Sequence, residues 1–269
     1  MPTINVFDSI FAVLDESNKK APNLIGTAFP IGKGVFATAG HVVKAIQNIS
    51  SPTLRKFEQD GETVKFPIKQ GECWNNIDFG LLLADFQPKS IFSWLDAKVI
   101  EPTNVYTIGF AFGLEINLEK LVMRHFKGHV VSCRKYDSWD ELLNKSKDNS
   151  PKYPFGIYEL SFACPLCQSG APLLAKLPDG VSVIGCIVGN SSSRMEVISS
   201  VEQESDTEKT ERYEYHEFLH LGQAISGDSL LQRESILLGN LSSKEKDNSR
   251  KKLLREHLGD SVRKVIINK

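Results

Sequence analysis

The sequence predicts an all-β fold, a sandwich or barrel rather than a chain of βαβ units. Short apolar runs separated by turns recur along the first half, and the same style returns in the second half after a crossover that carries Pro88 and Pro102. The length of 269 residues, with 41% hydrophobic content, suffices for one large domain or for two small barrels that share an interface.

In order along the chain, Ser9–Leu14 is the first strand candidate. Leu24–Phe29 and Gly34–Ala39 read as a hairpin joined by Pro30-Ile31-Gly32-Lys33, and Lys65–Ile68 and Phe79–Ala84 continue the pattern. After the crossover at Phe86–Thr103, Val105–Phe110 is apolar. Leu121–Cys133, with Gly128 inside it, predicts two strands or one bent strand. Asp137–Lys147 suits a short surface helix. Ile157–Phe162, Ala171–Ala175, Ser182–Val188 and Glu217–Ile225 supply further strands. Ser191–Glu214 is rich in Ser and Glu and poor in apolar residues, which predicts a long mobile loop.

From Asp228 the style changes. Asp228 can cap a helix that carries Leu230, Leu231, Leu237 and Leu238 on one face. Ser242-Ser243-Lys244-Glu245 fits a capping box for a second, charged helix through Leu254. This tail is expected to pack on the barrel and cover apolar surface, with a partner-binding role as the alternative.

Bulk properties exclude several classes. A net charge of −1 with 24% charged residues does not suit an electrostatic nucleic-acid binder or a membrane-surface protein. No apolar run is long enough to span a bilayer. Met1-Pro2-Thr3-Ile4-Asn5 lacks the basic and apolar regions of a signal peptide, and five cysteines, an odd number, read as reduced thiols. A cytoplasmic location is expected.

The chemistry-bearing residues occur in the order His41, Asp78, Ser169. A serine hydroxyl is a poor nucleophile at neutral pH and needs a base, which in turn needs an orienting acceptor. His41 follows the small residues Ala37-Thr38-Ala39-Gly40, which let an imidazole face a cleft. Asp78 precedes the apolar run Phe79–Leu83 and is the candidate orienter, with Asp85 at the far end of that strand as a weaker alternative. Ser169 lies in the tight turn Cys167-Gln168-Ser169-Gly170-Ala171-Pro172, where the backbone N–H groups of Cys167 and Ser169 can point together at a developing oxyanion. Taken singly, the three have bland readings: a structural histidine, a capping aspartate and a Ser-Gly turn.

Together with their neighbours, these motifs resemble the chymotrypsin-fold (trypsin-like) serine proteases, and within them the protease domain of the bacterial high-temperature-requirement proteases and their intracellular relatives. Gly26-Thr27-Ala28-Phe29 and Thr38-Ala39-Gly40-His41-Val42 carry the resemblance in the first half, with Asp78-Phe79-Gly80-Leu81-Leu82. In the second half it rests on 106–113, Gly128-His129-Val130-Val131-Ser132, 169–174, Val183-Ile184-Gly185 and Gly222-Gln223-Ala224-Ile225. The resemblance implies two six-stranded antiparallel β-barrels, residues 1–98 and 99–227, followed by a short helical tail, 228–269. It also implies an intracellular serine endopeptidase that needs no cofactor and no metal. His41 and Asp78 would come from the first barrel and Ser169 from the second. The primary specificity pocket would have Ala163 at its floor and Val188, Gly189 and Asn190 as its wall. With no acid at Ala163, a preference for Lys or Arg is not expected.

The departures are informative. Cys167 stands where the family has glycine, and Gln168 where secreted zymogens have the aspartate that receives a new N-terminus. Cysteine resists backbone angles that glycine tolerates, so the oxyanion hole is expected to be imperfect until something orders it. Cys164-Pro165-Leu166-Cys167 admits a zinc or redox reading, although no second pair sits at ligand spacing and buried reduced thiols are the simpler reading. Too few residues follow the barrels for the peptide-binding domain of the high-temperature-requirement proteases. Control is therefore expected from a regulatory protein partner, through the C-terminal helices or the 191–214 loop. The implied role is limited proteolysis of a protein or peptide substrate, in bacterial defence or stress signalling. Two readings compete with it: a catalytically silent protease-like binding module, and a thiol-regulated protease.

Overall fold

Phe11–Asp15 forms the first strand, β1, with Phe11, Ala12, Val13 and Leu14 all excluded from solvent. It pairs with β2 (Asn23–Gly32) on one side and with β4 (Pro52–Phe57) on the other. The chain turns at Lys33-Gly34 into β3 (Val35–Thr38), which pairs with β6 (Phe79–Ala84). The long β5 (Thr63–Trp74) joins β6 to β4. Six antiparallel strands thus close in the order β1-β2-β3-β6-β5-β4. Phe11 fills the barrel, in edge-on contact with Phe36, Phe66 and Phe86 at centroid distances of 4.9, 6.1 and 5.0 Å. Burying one such ring contributes about 1.5–3 kcal/mol.

The computed structural model describes residues 6–18, 22–57, 63–74, 76–97, 103–111, 122–136, 155–178, 180–203, 210–241 and 250–263, with the backbone alone for 6–7, 192–203 and 210–219. In the crossover, β7 (Ser93–Leu95) is short and carries the buried Trp94, which stacks on Phe29 of the first barrel. The second barrel is built from β8 (Asn104–Phe110), β9 (Met123–Tyr136), β10 (Phe155–Leu160), β11 (Pro172–Leu177), β12 (Gly180–Gln203) and β13 (Thr210–Ser226). Their order is β11-β8-β9-β10-β13-β12, and β12 pairs back onto β11 to close the ring. Val130, Leu160, Leu173, Ile184, Ile187 and Ala224 form its core. The two closed antiparallel barrels anticipated from the motifs are thus present, with β7 added in parallel to β12.

Several local expectations are corrected. Within the Ser191–Glu214 stretch, the described residues 191–203 and 210–214 are strand rather than loop: β12 and β13 run on past the barrel as a paired ribbon, from Ser192 opposite His220 to Gln203 opposite Thr210. A ladder of backbone hydrogen bonds needs no apolar side chains, so composition concealed it. Of the two readings of Leu121–Cys133, two strands or one bent strand, the structure has the single strand, over Met123–Tyr136. Strand β4 and the helix α1 (Gly40–Ile46) had no clear sequence signal. The expected helix at Asp137–Lys147 lies outside the described residues.

The tail is also more broken than its leucine spacing suggests. Helix α2 (Gly227–Leu231) ends before β14 (Glu234–Ser235), and α3 (Ile236–Leu241) comes next. The capping box at Ser242–Glu245 lies outside the described residues, while β15 (Lys252–Leu253) is extended where a helix was expected. A short helix, α4 (Leu254–Leu258), then leads to β16 (Val262–Arg263), which pairs in parallel with β7. Leu230, Leu231, Leu237, Leu238, Leu254 and Leu258 are buried in the core shared with the first barrel, so the tail does cover apolar surface. Among the described residues no helix is long and apolar enough to cross a membrane.

Candidate active site

His41 is the second residue of α1, which begins as soon as β3 ends. Asp78 sits in the turn before β6, beside the start of that helix. Its carboxylate makes two contacts with one residue. Oδ1 accepts the His41 backbone N–H at 2.6 Å, and Oδ2 lies 2.6 Å from the ring Nδ1. The backbone contact fixes where the carboxylate stands, and the ring contact fixes the imidazole. An ionised Asp78 can only accept, so Nδ1 carries the ring proton of the neutral imidazole, whose other nitrogen, Nε2, is then the basic one. The Asp78 side chain is 10% exposed and that of His41 49% exposed, so the ring presents its outer edge to solvent. Gly40 makes the approach possible, because a Cβ there would stand 3.0 Å from Asp78 Oδ1 and from the Phe79 nitrogen. Asp85, the weaker alternative, is instead paired with Lys69 at 2.5 Å on the exposed end of β6 and takes no part.

Ser169 comes from the second barrel, in the turn before β11. Gly170 adopts φ +91°, and a Cβ on it would collide with the Thr27 carbonyl and the Thr38 hydroxyl. Hydrogen bonds from Gly170 N to Ile187 O (2.8 Å) and from Thr27 N to Ser169 O (2.9 Å) hold the turn between β12 and the first barrel. The Ser169 hydroxyl donates to the Val188 carbonyl at 3.4 Å, and among the described hydrogen bonds none joins it to His41.

Cys167 has φ +68°, and among the described residues it alone takes a positive φ without being glycine. That conformation costs a cysteine about 1–2 kcal/mol. Two bonds to β2 offset the strain: the thiol donates to Leu24 O at 3.2 Å, and the Thr27 hydroxyl donates to Cys167 O at 3.1 Å. The glycine-like angles expected at this position are therefore met by cysteine, with the first barrel as the brace. Among the described residues no backbone acceptor takes the N–H of Cys167 or of Ser169.

The two thiols of the C-x-x-C face different barrels. Cys167 binds Leu24 O, whereas Cys164 is buried against Gly222 of β13. Burial pushes the Cys164 thiol up to about 12 and raises that of Cys167, so neither is a ready thiolate. None of the five cysteines forms a disulfide. Among the described residues no three His, Cys, Asp or Glu side chains gather as metal ligands.

Of the residues assigned to the specificity pocket, one touches Ser169 and another spans to the segment before it. Val188 contacts its hydroxyl directly. The Asn190 amide crosses to the 163–165 segment, accepting the Cys164 N–H and donating to the Cys164 carbonyl, each at 2.6 Å. Gly189 lies between them on β12, and Ala163 is exposed. Gln168 points the other way. It is fully buried beside Gly109, and neither end of its amide has a hydrogen-bond partner among the described residues.

Sequence reasoning missed Thr27, a buried hydroxyl inside the apolar run Leu24–Phe29, and the polarity of that one position was its only signal. It also missed Glu72, whose partners lie more than 160 residues away.

No family model and no curated protein matches the chain. Solved structures do. The active form of the Rv3671c protease from M. tuberculosis aligns with a TM-score of 0.54 at 14% identity, over 84% of this chain and 78% of that one. The apo MamO protease domain from Magnetospirillum magneticum aligns at 0.51 and 13% identity, over 82% and 93%. A Glu endopeptidase in complex with MPD aligns at 0.51 and 11%, over 83% and 86%. All three are serine proteases built on two barrels, and this chain shares their chymotrypsin-like fold.

Proposed function

We propose that the protein is a serine endopeptidase in which Ser169 is the nucleophile, His41 the general base and Asp78 the orienting carboxylate. The observation that carries this reading is the two-point contact of Asp78 with His41, backbone and ring, beside a Ser169-Gly170 turn that packs on Thr38 and Ala39 and docks on the first barrel through Thr27. In the reaction, Ser169 Oγ leaves the Val188 carbonyl and bonds to the scissile carbonyl carbon, while His41 Nε2 takes its proton. The N–H groups of Cys167 and Ser169 receive the oxyanion. His41 then protonates the leaving amine, and water, deprotonated by the same nitrogen, releases the acyl group from Ser169.

Substrates are proteins or peptides, as the fold neighbours' protease activity suggests. Ala163, Val188, Gly189 and Asn190 would receive the residue before the scissile bond. With Asn190 spanning to Cys164 and no acid at 163, a neutral residue of modest size fits best. Five free thiols support a reducing, cytoplasmic setting. Regulation by a protein partner would use the ribbon of 192–203 and 210–220 rather than the apolar faces of the tail helices, which the core already occupies.

A fluorophosphonate probe tests the reading. Labelling of the folded protein that is lost in Ser169→Ala supports it. A folded protein that never labels favours the second reading, a silent binding module, whose supporting observation is the Ser169 hydroxyl turned to Val188 O instead of His41.

A further inference from the structure

Strand β3 stays in register with β2 only as far as Ala37, opposite Phe29. Beyond that pair β3 has one more residue, Thr38, and then gives way to α1, so Thr27, which stands opposite Ala12 of β1 on its other side, has no backbone rung on its β3 side. The nucleophile turn fills the notch. Thr27 N–H donates to Ser169 O at 2.9 Å, and the Thr27 carbonyl accepts the hydroxyl of Thr38, three residues before His41, at 2.7 Å. The Thr27 hydroxyl donates to Cys167 O at 3.1 Å and accepts the Phe110 N–H of β8 at 2.9 Å. The side chain is fully buried. One residue thus commits every hydrogen-bonding group it has to four partners in three segments: Thr38 of the chain entering His41, Cys167 and Ser169 of the one turn, and Phe110 of β8.

We propose that Thr27 is a positioning residue, which sets the Ser169 turn and the Cys167 peptide in register with the segment that carries His41. Its hydroxyl is the operative group. A hydrogen bond to the Cys167 carbonyl orients the peptide plane on that residue's C-terminal side, and together with the thiol bond to Leu24 O it holds φ at +68°. Cys167 needs this brace where glycine would rest unaided. The inference rests on the serine-protease reading for its catalytic consequence, but the positioning itself is measurable without activity.

The test compares Thr27→Val, which keeps shape and backbone and deletes the hydroxyl, with Thr27→Ser, which restores it. Two quantities are read on folded protein. One is the rate of Ser169 phosphonylation by a fluorophosphonate, in which the Oγ–P bond forms, fluoride leaves and His41 takes the hydroxyl proton. The other is the rate at which iodoacetamide alkylates Cys167, mapped by mass spectrometry against Cys73 and Cys133.

Thr27→Val is expected to lower the saturating phosphonylation rate by about a hundredfold with little change in the half-saturating concentration, as a small misplacement of reacting groups does. It is expected to speed Cys167 alkylation about tenfold, because the thiol loses its seat. Thr27→Ser should restore both. A purely structural threonine would lower the melting temperature and leave both rates of the folded fraction unchanged, and that result overturns the proposal. Equal losses in Thr27→Ser and Thr27→Val also overturn it. Should wild type never label, the protease reading falls and alkylation alone decides: faster in Thr27→Val and normal in Thr27→Ser sustains the positioning role, and no difference removes it. If Thr27→Val does not fold, Thr38→Val, which deletes the donor to the Thr27 carbonyl, is read in the same way. There slower phosphonylation and faster alkylation support the proposal, and wild-type rates overturn it.

Discussion

The Ser235 hydroxyl donates to the Glu72 carboxylate at 2.6 Å, joining the middle of the C-terminal tail to the end of β5 in the first barrel. The same carboxylate accepts the N–H groups of Ile236 and Leu237 at 3.0 and 2.8 Å, while Ser235 Oγ accepts that of Leu238 at 3.0 Å. Helix α3 is therefore capped from outside its own segment, by a strand residue. Next to it, Trp74 Nε1 donates to Glu234 O at 2.8 Å. Glu72→Ala leaves three donors without their acceptor. It is expected to lower stability by about 1–2 kcal/mol, read as a shift in the urea midpoint at constant slope. Glu72→Gln, which keeps one acceptor oxygen, should lose less.

Asp78→Asn tests the tautomer of His41. An amide can offer its NH2 to Nδ1 and so move the ring proton to Nε2, where it blocks proton abstraction from Ser169. The phosphonylation rate is expected to fall by about 10⁴, with far-UV circular dichroism unchanged. Asp85→Asn serves as the control, since Asp85 pairs with Lys69 away from the site, and it should label at the wild-type rate.

Gln168 is a buried amide with neither end paired among the described residues. Such a group costs about 1–3 kcal/mol of desolvation. Gln168→Met keeps the length of the side chain and removes the cost. The variant is expected to melt about 2–4 °C higher per kcal/mol recovered, in calorimetry. A lower melting temperature would show that the amide is paired in solution.

His257 of α4 packs against Gly32 of β2, and its Nε2 is buried with no partner among the described residues. Burial first, and the neighbouring Lys252 second, hold its pKa below the ordinary value of 6.5. The unfolded chain then binds the proton more readily than the folded one. Its contribution is fully present above pH 6.5 and is lost as the pH falls from there toward the depressed folded value. Stability should drop as the pH falls through the ordinary value of 6.5 toward the depressed folded value, and His257→Gln should flatten that part of the profile in urea titrations taken at each pH.

The signals legible in the sequence were local. Asp78 and Ser169 sit where a turn meets a strand and His41 where a strand gives way to a helix, and the residues that make such junctions, Gly40, Phe79 and Gly170, are within one position of them. The barrels were legible for the same reason, because short apolar runs with turn residues between them specify strands. The features that escaped are non-local. Leucine spacing predicted one helix from Asp228, but Ser235 breaks it, and Glu72, 163 residues before that serine, caps helix α3. The 192–203 and 210–219 stretches pair through their backbones, which composition does not report. Thr27 looked like one polar residue in an apolar strand, and its partner Cys167 lies 140 residues away.

The notch at Thr27 has a bearing on how the two halves depend on each other. A strand edge with unpaired backbone groups is a template for the wrong partner. Where β3 leaves β2, the first barrel would show such an edge, one open N–H and one open carbonyl beside buried apolar residues. The Ser169 turn and the Thr38 hydroxyl occupy both. The second barrel thus closes the N–H of that edge and the first barrel's own Thr38 closes the carbonyl, so the contact that would arm the nucleophile also seals half of an edge open to a foreign strand.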